Sequence, residues 1–114
     1  MSYTPHYFKP HEWRCKCGKC ADAGPLAEEL LIRLDVLRVF VGGPVIITSG
    51  WRCPAHNAKT PGAVESSRHL LGRAADLQAG DIAALAKAAK ELNKLPSFRF
   101  RYIEVQPRYV HVDV

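Results

Sequence analysis

Residues 49–76, SGWRCPAHNAKTPGAVESSRHLLGRAAD, decide how the rest of the chain is read. At their end stand His69 and Asp76, separated by small residues that include Gly72, Ala74 and Ala75. A second histidine, His111, lies in the alternating run Tyr109-Val-His-Val-Asp-Val114. Two histidines and one carboxylate make the three-ligand set of a catalytic zinc ion, whose fourth position stays open for water. A zinc ion on His69, Asp76 and His111 would acidify that water and polarise a carbonyl.

Working outward, residues 1–24 are punctuated by Pro5, Pro10, Gly18 and Gly24 and read as irregular, with Tyr7, Phe8 and Trp13 available to the core. Pro25 suits a helix N-terminus, with Asp22 as its cap. Leu26, Leu30, Ile32, Leu34, Leu37 and Phe40 form its apolar stripe before Gly42-Gly43-Pro44 stops it. Residues 44–48 read as a short, fully buried strand, and 49–67 as a long ordered loop without periodicity. Arg73 to Gln78 suits a second strand carrying Asp76. Asp81 caps a helix running to about Lys94, with Ile82, Leu85, Ala86, Ala89 and Leu92 inward.

Residues 98–105 and 109–114 read as a hairpin around Gln106-Pro-Arg108. A turn centred on Pro107 and Arg108 pairs Gln106 with Tyr109 and sets Glu104 opposite His111, with Tyr109 and Asp113 on the same face. A one-residue slip would undo this arrangement.

The chain has 114 residues, enough for one domain, residues 1–114, and too few for two ordinary ones. Its 47% hydrophobic and 24% charged content excludes a disordered chain. The +5 formal charge suits an anionic partner, but the basic residues are scattered and no nucleic acid is expected. No apolar run approaches the ~20 residues of a membrane span. The N-terminus lacks a secretory pattern, so synthesis in the cytoplasm is expected, with another route of delivery if the protein acts outside.

Four cysteines remain: Cys15-x-Cys17-x-x-Cys20, and Cys53 in the central stretch. They supply enough thiols for one closed, structural zinc site that would tie the N-terminal segment to that stretch. One or two disulfides, Cys53 with Cys15 or Cys17, are the alternative in an oxidising compartment.

Together these motifs resemble the M15 zinc peptidases, the D-Ala-D-Ala carboxypeptidase group. Residues 67–76 are similar to that family's Ser-x-His-x-x-Gly-x-Ala-x-Asp signature, Ser49-Gly-Trp-Arg52 and Pro54 to Asn57 to its entry motif, and His111-Val-Asp113 to its C-terminal His-Val-Asp. The resemblance spans about residue 26 to 114. It implies an α+β fold, two main helices packed on a small antiparallel sheet, with zinc on the open sheet face. It also implies hydrolysis of bonds involving D-amino acids in peptidoglycan stem peptides, by a D-Ala-D-Ala carboxypeptidase or an endolysin-type endopeptidase. A phage or prophage protein released at lysis, working as a monomer on the cell wall, fits that expectation.

In this reading Arg52 grips a substrate carboxylate with its planar fork. Ser67 hydrogen-bonds near the metal or caps the turn before His69. The family pattern has an acidic residue three positions before the last zinc histidine, where this chain has Arg108. Glu104 is therefore the first choice for general base and Asp113 the second, though Asp113 also suits a carboxylate that orients a ligand histidine. Tyr109 is an oxyanion donor in this scheme. His56 lines the cleft or holds its own loop. The alternative function is a module that keeps the zinc fold and binds wall peptides or a protein without cutting them, as hedgehog-type domains resemble.

Overall fold

The computed structural model describes residues 3–20, 24–61, 63 and 67–114. Among them are helices α1 (Pro10–Trp13), α2 (Glu28–Val41), α3 (Pro54–Lys59) and α4 (Ile82–Leu92) and strands β1 (Val45–Ser49), β2 (Ala74–Ala79), β3 (Tyr102–Val105) and β4 (Val110–Asp113). All strand pairs are antiparallel, in the order β1-β2-β4-β3. This is the expected α+β class.

The two-residue period divides the sheet. Ala75 and Leu77 of β2, and Val110 and Val112 of β4, are fully buried with Leu30, Leu34, Leu37, Leu85 and Leu92 of the two long helices. Each such leucine is worth about 1.5–3 kcal/mol relative to exposure. The opposite face carries Asp76, His111 and Glu104, with Asp76 paired to His111 and His111 to Glu104. The Gln106 N–H donates to the Tyr109 carbonyl at 2.9 Å, which closes the hairpin in the anticipated register.

Several local expectations are corrected. Strand β1 alternates: Val45 and Ile47 are buried, whereas Ile46 is 55% exposed. A bulge after Ile47 sets Ser49 against Asp76 and turns the strand end toward the polar face. The long loop contains α3, started by Pro54 at its first turn. The N-terminal segment holds α1, and its Phe8 and Trp13 join the core while Tyr7 stays exposed.

Helix α2 begins at Glu28, beyond Pro25, because the Ala27 N–H donates to the Gly72 carbonyl at 2.7 Å and holds residues 25–27 against that turn. The cap expected at Asp22 lies outside the described residues. Phe40 is exposed, and Asp35 takes an inward position on α2 instead. That carboxylate accepts the backbone N–H groups of His6 at 2.7 Å and Tyr7 at 3.1 Å, together with the Tyr3 hydroxyl. Buried charge is costly unless it is bonded in this way. Asp81 caps α4, accepting the Ala84 N–H at 3.1 Å, and the strand expected from Phe98 starts only at Tyr102, after a single turn at Pro96–Phe98.

Candidate active site

His69 sits on one 3-10 turn, Arg68–Leu71, bracketed by its sequence motif. The Ser67 hydroxyl accepts the His69 N–H at 3.3 Å, and Gly72, at φ 68°, ends the turn in the left-handed region. Ser67 thus performs the capping role while lining the cleft. The His69 ring is buried, with Nδ1 2.7 Å from the Gly50 carbonyl. A carbonyl only accepts, so Nδ1 donates to it, and Nε2, 3.4 Å from Asp76 Oδ1, is the nitrogen turned toward the site.

Asp76 on β2 and His111 on β4 face one another through strand pairing alone. His111 Nδ1 is 2.8 Å from Asp76 Oδ1, and its Nε2 is 2.8 Å from Asp113 Oδ2. One ligand atom from each of His69, Asp76 and His111 falls within 4.8 Å of the others. A tetrahedral zinc with bonds of about 2.05 Å needs ligand atoms about 3.3 Å apart. The 3.4 Å gap meets this, and the 2.8 Å gap needs a small opening.

The electrostatics favour a cation here. Burial alone would raise the Asp76 carboxyl, but hydrogen bonds and charge from His111 and His69 outweigh it and hold the group well below the usual carboxylate range. Burial alone would lower the His111 imidazole, yet its bonds to Asp76 and Asp113 raise it above its ordinary value. Each ring nitrogen faces a carboxylate oxygen, and a cation bound at Nδ1 would take the place of a proton there. The set fits zinc in donor type, spacing and outer support.

A cleft of about 520 Å³ opens over these groups. Arg52, 9% exposed, forms one wall: its Nε donates to Ser49 Oγ at 3.2 Å, Nη1 to Asn57 Oδ1 at 3.2 Å, and Nη2 lies 3.6 Å from Asp76 Oδ2. Glu104 and Tyr109 form the other wall. Burial, followed by the charge of Asp76, raises the Tyr109 phenol and keeps it a neutral donor. Tyr102 was missing from the sequence reading. Its hydroxyl donates to Glu104 Oε1 at 3.2 Å within the cleft. The two-residue period that aligned Glu104 with His111 reaches Tyr102 one step further along β3.

The sequence model described as Peptidase M15 matches residues 6–113. The chain belongs to the M15 peptidase family. M15 peptidases are zinc-dependent hydrolases, in keeping with the His-Asp-His set. No curated protein matches the sequence.

Three positions of this M15 chain stand apart from the cleft. Arg108 is exposed in the β3–β4 turn, and the acidic side chain that lines the cleft besides Asp76 is Glu104 of β3. Asp113 is 2% exposed and occupied by His111 and by Arg101, whose Nε and Nη2 donate to it at 2.7 and 3.1 Å. That geometry suits an orienting carboxylate more than a base. His56 lines a different hollow, beside Cys17, Cys20 and Cys53. There the four thiols of Cys15, Cys17, Cys20 and Cys53 also lie within 4.8 Å of one another. The Lys19 N–H and the Cys20 side chain bring the Cys17 thiol down to about 6.

Proposed function

We propose that this M15 domain hydrolyses peptide bonds involving D-amino acids in peptidoglycan stem peptides, with His69, Asp76 and His111 holding the catalytic zinc. When bound, zinc supplies a Lewis acid for the scissile carbonyl and makes water nucleophilic at neutral pH. Glu104 is the general base: its carboxylate takes a proton from the attacking water and delivers it to the leaving amine. The single observation that carries this assignment is the pairing of Glu104 with His111 across β3 and β4, on the wall of the cleft that contains the zinc set. Tyr102 holds Glu104 in place through its hydroxyl, and Tyr109 donates a hydrogen bond to the developing oxyanion. Asp113 keeps the proton on His111 Nε2 and so presents Nδ1 to the metal.

The endopeptidase form of the reaction is favoured over the carboxypeptidase form by Arg52. Its guanidinium is already engaged with Ser49, Asn57 and Asp76, which makes it a wall of the site rather than a free clamp for a terminal carboxylate. The physiological setting of this reading is bacterial wall breakdown by a monomer, as in lysis by a phage.

The test is hydrolysis of purified peptidoglycan and of synthetic stem peptides with free or amidated C-termini, by wild type and Glu104→Gln. Release of new amino groups that falls at least ~100-fold in the variant, with zinc retained, is expected. Binding without cleavage by the zinc-loaded wild type would sink the peptidase assignment in favour of a recognition module. Cleavage restricted to free C-termini would restore the carboxypeptidase form.

A further inference from the structure

We propose that Cys15, Cys17, Cys20 and Cys53 hold a second, structural zinc ion, and that this ion fixes residues 50–53, the strap that positions His69 and Arg52. The second half rests on the peptidase reading; the first half does not.

The sulfur spacing is that of a tetrahedral site. Cys17 and Cys20 Sγ are 3.5 Å apart, Cys15 and Cys53 3.6 Å, and Cys17 and Cys53 3.9 Å. Zinc–sulfur bonds of about 2.3 Å require sulfur atoms about 3.8 Å apart. A disulfide would need about 2.05 Å. Two backbone donors already point at sulfur: Lys19 N–H at Cys17 Sγ and Cys53 N–H at Cys15 Sγ, both at 3.3 Å. Gly18, at φ 75°, makes the tight turn that brings the Lys19 N–H under Cys17. Four thiolates around Zn²⁺ leave a net charge of −2, and Lys16, Lys19 and Lys59 line the same hollow to offset it. Four protein ligands close the coordination sphere, so the ion would hold structure rather than activate water.

The strap links this cluster to the active site. Cys53 adjoins Arg52, whose N–H donates to the His69 carbonyl at 3.1 Å. Trp51 donates its backbone N–H to the Trp13 carbonyl at 2.9 Å and its indole N–H to the Leu70 carbonyl at 3.2 Å. Gly50 packs so closely on Trp13 that a Cβ there would lie 2.6 Å from the Trp13 Cβ, and its carbonyl holds the His69 ring. The cysteine cluster thus anchors one end of the backbone that fixes the His69 tautomer. The two sites remain separate, since the hollow and the cleft share no lining residue.

The experiment is metal content per chain for intact wild type, His69→Ala and Cys20→Ser, purified without chelator. About two, one and one zinc ions are expected. Cobalt-loaded His69→Ala should show the intense near-ultraviolet thiolate-to-cobalt charge-transfer band of a tetrathiolate site. A single ion in wild type that is lost in His69→Ala overturns the site, as does an intact mass showing cysteine hydrogens lost to disulfides. If Cys20→Ser does not fold, mercurial titration of wild type decides: one zinc released per four thiols supports the site, and none overturns it. The strap is tested by ion retention at the histidine site in zinc-reloaded Cys20→Ser. At least ~10-fold weaker retention is expected, and unchanged retention overturns the link. A cobalt tetrathiolate spectrum in a protein that cleaves no wall peptide would leave the cysteine site standing and sink the peptidase reading alone.

Discussion

Replacing Asp113 with asparagine separates an orienting carboxylate from a proton-transferring one. Asp113 accepts His111 Nε2–H at 2.8 Å, and an asparagine oxygen can keep that contact but not its charge. Without the charge, His111 Nδ1 becomes a weaker donor to zinc. Outer carboxylates of this kind are worth about 10–100-fold in metal affinity, or about 1.4–2.7 kcal/mol. A second effect opposes the first. Asp113 also helps raise the His111 imidazole above its ordinary value, and that proton competes with the metal at Nδ1. Removing the charge weakens both, so a loss near the lower end, about 10-fold at pH 7, is expected. Competition titration against a chromophoric zinc chelator measures it, with turnover recorded at saturating zinc. Turnover per bound zinc should stay within a few-fold of wild type. Unchanged zinc affinity would refute the orienting role. Full zinc with no turnover would make Asp113 the base and remove Glu104 from that role.

Arg52→Lys keeps the charge but loses the fork shared by Ser49 and Asn57, and should lower unfolding stability by about 1–3 kcal/mol in urea denaturation; a loss under ~0.3 kcal/mol would mean the buried contacts contribute little. Its effect on catalysis should be equal for free and amidated substrates if the cleft is that of an endopeptidase. The Tyr3 hydroxyl is raised to about 12, first by its hydrogen bond to Asp35 and then by burial. A folded value above the unfolded one gives stability that is fully present below about 10 and lost as pH rises toward 12. Thermal melts should therefore show wild type losing more stability than Tyr3→Phe across that interval, and parallel curves would contradict the account. Gly72→Ala places a Cβ 2.3 Å from the Pro25 carbonyl oxygen at a φ of 68°, and should destabilise by at least about 2 kcal/mol in the same denaturation assay; a near-neutral result would show that residues 25–27 move aside freely.

What the sequence made legible depended on periodicity and on turn chemistry. The β3–β4 register followed from Gln106-Pro-Arg108, and with it the pairing of Glu104 and His111. Alternating residues told which side of β4 faced the core. Three features were hidden. The bulge after Ile47 is set by pairing with β2, which no local pattern encodes. Helix α3 is too short for its apolar spacing to register. The burial of Asp35 on α2 has no signal in the helix's own pattern, because the groups that bury it, Tyr3, His6 and Tyr7, come from a segment with no periodicity of its own. Within the site, the serine and glycine flanking His69 announced a turn, but the Gly50 carbonyl that sets its tautomer is a backbone group and leaves no side-chain signature.

Strand β4 lies between β2 and β3, and it brings His111 to an Asp76 that is 35 residues earlier in the chain. Chain closure over such a span is the slow, entropically opposed part of folding. A slip of one residue would send His111 to the helix-covered side and Val110 or Val112 into the cleft. The donor set therefore exists only after the middle of the sheet has been filled in register. A nascent or partly unfolded chain therefore presents no assembled metal site. Strand order thus ties the metal-binding capacity of the chain to completion of its fold.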